Sequence, residues 1–178
     1  MTSDGDDVVS LVERARASDP DAWEVLYRRA YPGLLAYARR RLDGDRAVDA
    51  VAETMVRAVA GIERFSWKGS GFDGWLFGIL RHVVVDAHRA RARHRGEPID
   101  DGLGPGPLDH VLDGEEAAAV RAAFEALDPD DRELLELRVV AGLSAEAVGS
   151  VLSKRPGALR MAQSRALGRL RLELERRT

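Results

Sequence analysis

Phe65-Ser-Trp-Lys-Gly-Ser-Gly-Phe-Asp-Gly-Trp-Leu-Phe-Gly-Ile-Leu-Arg-His82, running on through three valines to Arg-Ala-Arg-His-Arg95, puts an aromatic, glycine-rich loop directly ahead of a long basic segment. Phe72, Trp75, Leu76, Ile79, Leu80, Val83 and Ala87 recur at three- and four-residue steps, so they line one side of a helix, and the valine run does not make a strand. His82, Asp86, Arg89 and Arg93 fall at steps of four, three and four and share the outward face, where the donors of His82, Arg89 and Arg93 suit phosphates and base edges. Such a face is also what a merely solvated basic helix presents. The loop tips the balance. Phe65, Trp67 and Phe72 sit among glycines with Arg64 and Lys68 beside them, and aromatics in a basic loop stack on unpaired bases. Phe65 and Phe72 read as caps on the core; Trp67, between Ser66 and Lys68, reads as exposed.

The same loop contains Gly69-Ser-Gly-Phe-Asp-Gly74, a formal match to the dinucleotide fingerprint. That motif works after a strand and with an acidic residue about 20 positions on. Helix precedes it here and arginines follow, so a nucleotide site is not expected.

Working outward, 178 residues allow one domain or two small ones, and 45% hydrophobic content suffices for packed cores. No run approaches the roughly 20 apolar residues that span a bilayer, and Met-Thr-Ser-Asp-Gly-Asp-Asp lacks the regions of a signal peptide, so a cytoplasmic protein without membrane insertion is expected. There is no cysteine, which excludes disulfides and thiolate metal sites. His82, His88 and His94 are spaced by six and do not converge, so no metal and no cofactor is expected. The net charge of −3 argues against indiscriminate nucleic-acid binding. Its distribution says more: cations crowd Arg81 to Arg95 and Lys154 to Arg177, while acids dominate from Glu97 to Asp131. Two basic patches on an acidic tether predict two contacts with one polyanion.

Upstream, Val8, Leu11, Val12 and Ala15 form a short apolar face. Asp19 and Pro20 then cap a helix that buries Trp23, Leu26, Tyr27 and Ala30. Pro32 is expected to bend or restart it, and the pattern resumes through Leu34, Leu35 and Ala38 to Leu42, with Arg39, Arg40 and Arg41 at the cation-favouring end. Asp45 is read as the cap of the next helix, with Val48, Val51, Met55, Val59 and Ile62 buried and with Asp49 and Glu53 outward. These helices predict an all-helical first domain, residues 1–95, and the Gly/Pro/Asp-rich segment 96–114 reads as a linker.

Beyond it, residues 115–178 form a second helical unit. Phe124 and Leu127 mark one helix, and Asp128-Pro129 caps another carrying Leu134, Leu135, Leu137 and Val140. Gly142 suits a left-handed C-terminal position. Ser144 caps a short helix with Val148 and Val151; a turn and a longer helix with Leu159, Ala162, Ala166, Leu170 and Leu174 inside complete a helix-turn-helix. An ordinary helical hairpin is the competing reading. In a helix-turn-helix the start of the second helix reaches base edges. Here that means Lys154, Arg155, Ala158, Arg160, Met161 and Ser164, with Arg165, Arg169 and Arg171 further along.

Taken in order, Trp23 to Leu42, Asp49-Ala-Val-Ala-Glu53-Thr-Met-Val-Arg-Ala, Phe72 to Arg89, Leu127-Asp-Pro-Asp-Asp-Arg-Glu-Leu-Leu-Glu-Leu-Arg138 and Gly142-Leu-Ser-Ala-Glu-Ala-Val148 resemble the extracytoplasmic-function (ECF) sigma factors of bacterial RNA polymerase. The resemblance covers nearly the whole chain and rests on the order and spacing of motifs that are individually weak. It implies a promoter-specificity subunit without a catalytic site of its own. Residues 1–95 would be the region-two domain, in which Arg39, Asp49 and Glu53 serve core binding on the beta-prime clamp helices. Arg64, Trp67, Lys68, Arg81, His82, Asp86, Arg89 and Arg93 would serve minus-ten recognition and melting. Residues 115–178 would be the region-four domain, which meets the beta flap and reads the minus-thirty-five element through Lys154, Arg155, Ala158, Arg160, Met161, Ser164 and Arg165. An anti-sigma factor is a further partner the resemblance implies. Ala52 stands where glutamine is common, His82 where asparagine is, and Met161 and Ala162 where serine and arginine are, so a familiar minus-thirty-five sequence does not carry over. The alternatives are an autonomous helix-turn-helix regulator, which leaves the aromatic loop unexplained, and a helical protein-binding adaptor.

Overall fold

A computed structural model describes residues 4–67, 70–95 and 115–177. The described residues are helical throughout, without strands: α1 (Asp4–Arg16), α2 (Pro20–Arg39), α3 (Gly44–Gly61), a 3-10 turn (Ile62–Arg64), α4 (Gly71–Arg95), α5 (Glu115–Glu125), α6 (Pro129–Leu135) continued by a π-turn (Glu136–Val140), α7 (Ala145–Val151) and α8 (Pro156–Glu175). Residues 96–114, read as linker, lie outside the described residues, as do Lys68 and Gly69.

Local chemistry sets the boundaries. Asp19 accepts the backbone N–H of Asp21 (3.0 Å) and Ala22 (3.4 Å) ahead of Pro20, and Ser144 accepts from Ala147 N (3.1 Å). Gly142 takes φ +68°, and Leu143 N donates back to Leu137 O (3.0 Å), so a left-handed residue closes the helix as expected. Four local expectations are corrected. Helix α2 runs unbroken through Pro32, which sits on its exposed side. The N-cap of α3 is Asp43, and Asp45 lies in the first turn. The buried face of α3 is Ala47, Ala50, Val51, Thr54 and Ala58, which leaves Val48 (42% exposed) and Val59 (51%) outside with Val56 (63%). Small residues face inward because α3 is wedged between α2 and α4. Tyr27, expected inside, is exposed and rests on the Tyr31 ring at 5.1 Å.

Helices α1–α4 pack around Val12, Leu26, Leu34, Val51, Leu76 and Leu80, each essentially fully buried. Burial of each large aliphatic group stabilises by about 1.5–3 kcal/mol. The C-terminal helices add a smaller cluster of Phe124, Leu127, Leu135 and Ala166. Another set from that half, Leu134, Leu137, Leu143, Ala147, Val148, Val151 and Leu159, joins the core of α1–α4. The two helical groups therefore pack against each other, where the sequence suggested separate modules. Gly74 shows why α4 and α7 can meet: a Cβ there would lie 2.9 Å from Ala147 Cβ and 2.6 Å from Ser70 Cβ.

A buried ionic cluster seals this contact. Arg41 Nη2 donates to Glu136 Oε2 at 2.9 Å, Arg40 Nε lies 2.5 Å from Glu136 Oε1, and the Tyr37 hydroxyl donates to Glu133 at 3.0 Å. Arg41 also lies over the Tyr37 ring at 3.6 Å, and Arg40 over Phe124 at 5.1 Å. Read from sequence as cations at the end of α2, Arg40 and Arg41 are instead 4% and 7% exposed. Helix α2 ends at Arg39, and the turn after it carries both side chains inward. Burial pushes the Glu136 carboxyl above its ordinary range against the pull of Arg41, and it pushes the Tyr37 hydroxyl upward as well.

Candidate nucleic-acid interface

Two surfaces carry the candidate DNA-binding residues. The first is the loop ahead of α4. Phe65 and Phe72 are buried, 4% and 2% exposed, while Trp67 is 39% exposed. Phe65 is the centre of a ring cluster, with centroids of Trp67 at 4.9 Å, Trp75 at 5.1 Å and Phe72 at 5.7 Å; Trp23 meets Phe72 at 6.5 Å. Trp67 therefore rides edge-on upon a ring that is fixed in the core while remaining partly exposed. Arg64 is exposed at the end of the 3-10 turn. Lys68 falls outside the described residues.

Along α4, His82, Asp86, Arg89 and Arg93 are all exposed on one face, as the periodicity predicts. The face is less cationic than the sequence suggests. Asp86 lies 3.5 Å from Arg57, which also pairs with Glu53 at 2.8 Å, so a chain of alternating charge joins α3 to α4. His82 Nδ1 lies 2.7 Å from its own helix carbonyl at Gly78. Arg81 is set apart from this group, half-buried at the contact between the helical groups with Nε 3.5 Å from Glu133 Oε1.

The second surface is α7, its turn and α8. Ser153 takes φ +54° in the turn, and Leu159 and Ala166 anchor α8 inward. That orientation leaves Lys154, Arg155, Ala158, Arg160, Met161, Ser164 and Arg165 exposed together around the start of α8. Lys154 Nζ is 3.1 Å from Asp130, and Arg160 is 3.7 Å from Glu146; both pairs are exposed and yield easily to a phosphate or base. Met161 is 64% exposed, an apolar side chain held out into solvent. Arg169, by contrast, is engaged with Asp128 and Asp131 and staples α8 to α6. Gln163 accepts from Arg138 at 3.0 Å and faces sideways.

Arg39, Asp49 and Glu53 are exposed. The structure adds to Asp49 and Glu53 what sequence reasoning missed: Val48, Ala52, Val56 and Val59, at steps of four, four and three, form an exposed apolar stripe on α3. The signal was present, because α3 carries two apolar stripes and only one can face the bundle. The ionic cluster was legible in part too: Arg41 continues the buried series Leu26, Ala30, Leu34 and Tyr37.

Among the described residues no group of His, Asp or Glu could hold a metal ion, and no helix is long and apolar enough to cross a membrane.

A family model described as Sigma-70 region 2 matches residues 26–94. The ECF RNA polymerase sigma factor ShbA of Streptomyces griseus is 37% identical, over 91% of this chain and 92% of that protein. The ECF RNA polymerase sigma factor SigD of Mycobacterium tuberculosis is 32% identical, over 98% of this chain and 87% of its own length. Among solved structures, CnrH in complex with the cytosolic domain of CnrY superposes with a TM-score of 0.66 at 23% identity, covering 97% of this chain and 99% of CnrH. The sigma factor RpoE in complex with the anti-sigma factor NepR from Bartonella quintana superposes at 0.63 and 26% identity, covering 85% and 96%.

Proposed function

The chain belongs to the ECF sigma factors of RNA polymerase, and from that premise we propose how its two exposed surfaces divide the work of starting transcription. The surface at the start of α8 reads the upstream, minus-thirty-five element as duplex. Arg160 has the fork geometry for a guanine edge, Met161 the apolar surface for a thymine methyl, and Lys154 and Arg155 the charge for phosphates near the helix N-terminus. The loop at Arg64 and Trp67, with the outer face of α4, engages the minus-ten element as it opens. Extruding a base costs a few kcal/mol. Stacking on an aromatic returns about 1–3 kcal/mol per base, so Trp67 offsets a good part of that cost.

The α3 stripe of Val48, Ala52, Val56 and Val59, flanked by Asp49 and Glu53, docks on the polymerase core. The chemistry of RNA synthesis then belongs to the polymerase, and this chain supplies its specificity as a dissociable subunit in the cytoplasm. Residues 1–95 and 115–178 act as the two DNA-contacting domains, with 96–114 as the tether. Arg81 reaches the minus-ten element only when its contact with Glu133 is given up. An anti-sigma factor is a further partner, supported by the likeness to RpoE, which was solved with one.

The observation that carries this reading is the exposure of a stacking aromatic in one helical group and of a cationic recognition face in the other, with an unpartnered apolar stripe on α3. The test is binding to core polymerase and to promoter duplex, each alone and together. The reading expects core binding that Val56→Asp abolishes, and specific DNA binding only with polymerase present. Tight sequence-specific binding by the isolated chain, with none to core, would instead establish an autonomous helix-turn-helix regulator.

A further inference from the structure

Helix α1 lies outside the stretch matched as Sigma-70 region 2, yet its last turn sends one side chain into the loop that carries Trp67. Arg16 Nε donates to Ile62 O at 3.5 Å, and Nη2 donates to Phe65 O, carbonyls 46 and 49 residues further along the chain. The same guanidinium stands 5.8 Å from the Phe65 ring centroid, and Nη1 is held by Glu13 at 2.8 Å. Ile62 and Phe65 stand at the start and the exit of the 3-10 turn that ends α3, where the helix dipole is negative; Ile62 O also accepts from Phe65 N at 3.1 Å, so Arg16 adds to the bond that closes the turn. A fixed cation there fastens the backbone at the point where the chain leaves the core.

Two residues later comes Trp67. Its ring rests edge-on upon Phe65, so whatever holds the Phe65 backbone also holds the platform on which a base would stack. A stacking platform works only if it is in place before the base arrives, since a tolerance of about half an ångström separates productive from loose sites. On this basis, and resting on the function proposed above, we infer that Arg16 is a positioning residue for strand opening: it pins the exit of the 3-10 turn so that Trp67 is presented to an unpaired base. Arg16 does not itself touch DNA. It acts through the Phe65 carbonyl and ring.

A lysine in its place reaches one carbonyl but lacks the fork that spans two. The experiment uses the full chain, core polymerase and the genomic promoter fragment giving the strongest run-off transcript with the unaltered protein. Arg16→Ala, Arg16→Lys, Trp67→Ala and the Arg16→Ala/Trp67→Ala pair are compared by core affinity, duplex binding and permanganate reactivity of unpaired thymines. Arg16→Ala should leave core affinity and duplex binding within about twofold and slow strand opening about tenfold, as loss of charge-assisted bonds to two carbonyls implies. Arg16→Lys should recover part of that loss. The double variant should open strands no more slowly than Trp67→Ala alone, because both changes remove the same platform. Additive effects, an equal fall in all three measurements, or normal opening by Arg16→Ala would overturn the inference; if Arg16→Ala does not fold, the same cycle run with Arg16→Lys decides. Absence of any transcript or core binding with the unaltered chain would instead remove the sigma-factor reading itself.

Discussion

Replacing Glu136 with glutamine keeps its volume and removes one charge from a site that is 0% exposed. The carboxylate is the acceptor for Arg41 at 2.9 Å and the counter-charge for Arg40 at 2.5 Å. Without it, Arg41 retains a carboxylate only at 4.0 Å, in Glu133, and Arg40 faces the Phe124 ring. Breaking a buried pair from one side costs about 3–5 kcal/mol, since the remaining charge stays uncompensated. No cavity is made, so the loss is electrostatic. The three tryptophans, Trp23, Trp67 and Trp75, all lie in the α1–α4 group, so fluorescence reports that group while circular dichroism reports both.

The unaltered chain should unfold in urea with coincident transitions, because the core is continuous. Glu136→Gln should move the dichroism midpoint down by about 1–2 M, taking a urea slope of about 2–3 kcal/mol/M, and should separate the two transitions. Replacing the cluster whole, as Arg40→Met/Arg41→Met/Glu136→Leu, should restore most of that stability, because the desolvation cost disappears with the charges. A Glu136→Gln midpoint within about 0.3 M of the parent, or a triple variant as weak as the single one, would refute the reasoning.

Ser18 holds φ +63° in the turn between α1 and α2, so Ser18→Gly should stabilise by about 1 kcal/mol in thermal unfolding. Gly74→Ala inserts a methyl against Ala147 and Ser70 and should cost about 1–3 kcal/mol, with the loss largest where α4 meets α7 in hydrogen exchange. The Arg14 side chain holds the Asp19 carboxyl below its ordinary range, so its contribution is present above that range and fades as pH falls through the lowered value; Asp19→Asn should flatten the acid limb of the stability profile. Arg160→Ala should relax sequence preference at one upstream position, whereas Arg155→Ala should weaken binding evenly and shallow its salt dependence.

Much of this architecture was legible from periodicity and punctuation. The stripe of α4, the Asp19 and Ser144 caps and the left-handed Gly142 follow from local rules, and they place Trp67 and the start of α8 at the surface. The misreadings share a cause. Spacing alone puts Val48 and Val59 in the core, because apolar spacing does not say which of two stripes on α3 faces inward; only the proximity of α2 and α4, which selects alanines, decides it. Arg40 and Arg41 read as a cationic helix end because their partners, Glu133 and Glu136, are more than 90 positions away in sequence. Arg16 was invisible for the same reason: its acceptors are backbone carbonyls, which no side-chain pattern announces.

Whether this chain directs core polymerase to promoters is decided by transcription on a genomic fragment library, with start sites mapped in the presence and absence of this chain. A discrete set of chain-dependent start sites sharing an upstream and a downstream element is expected, lost when Val56→Asp replaces the unaltered protein. Start sites that do not change on adding the chain, together with no detectable association with core, would contradict it.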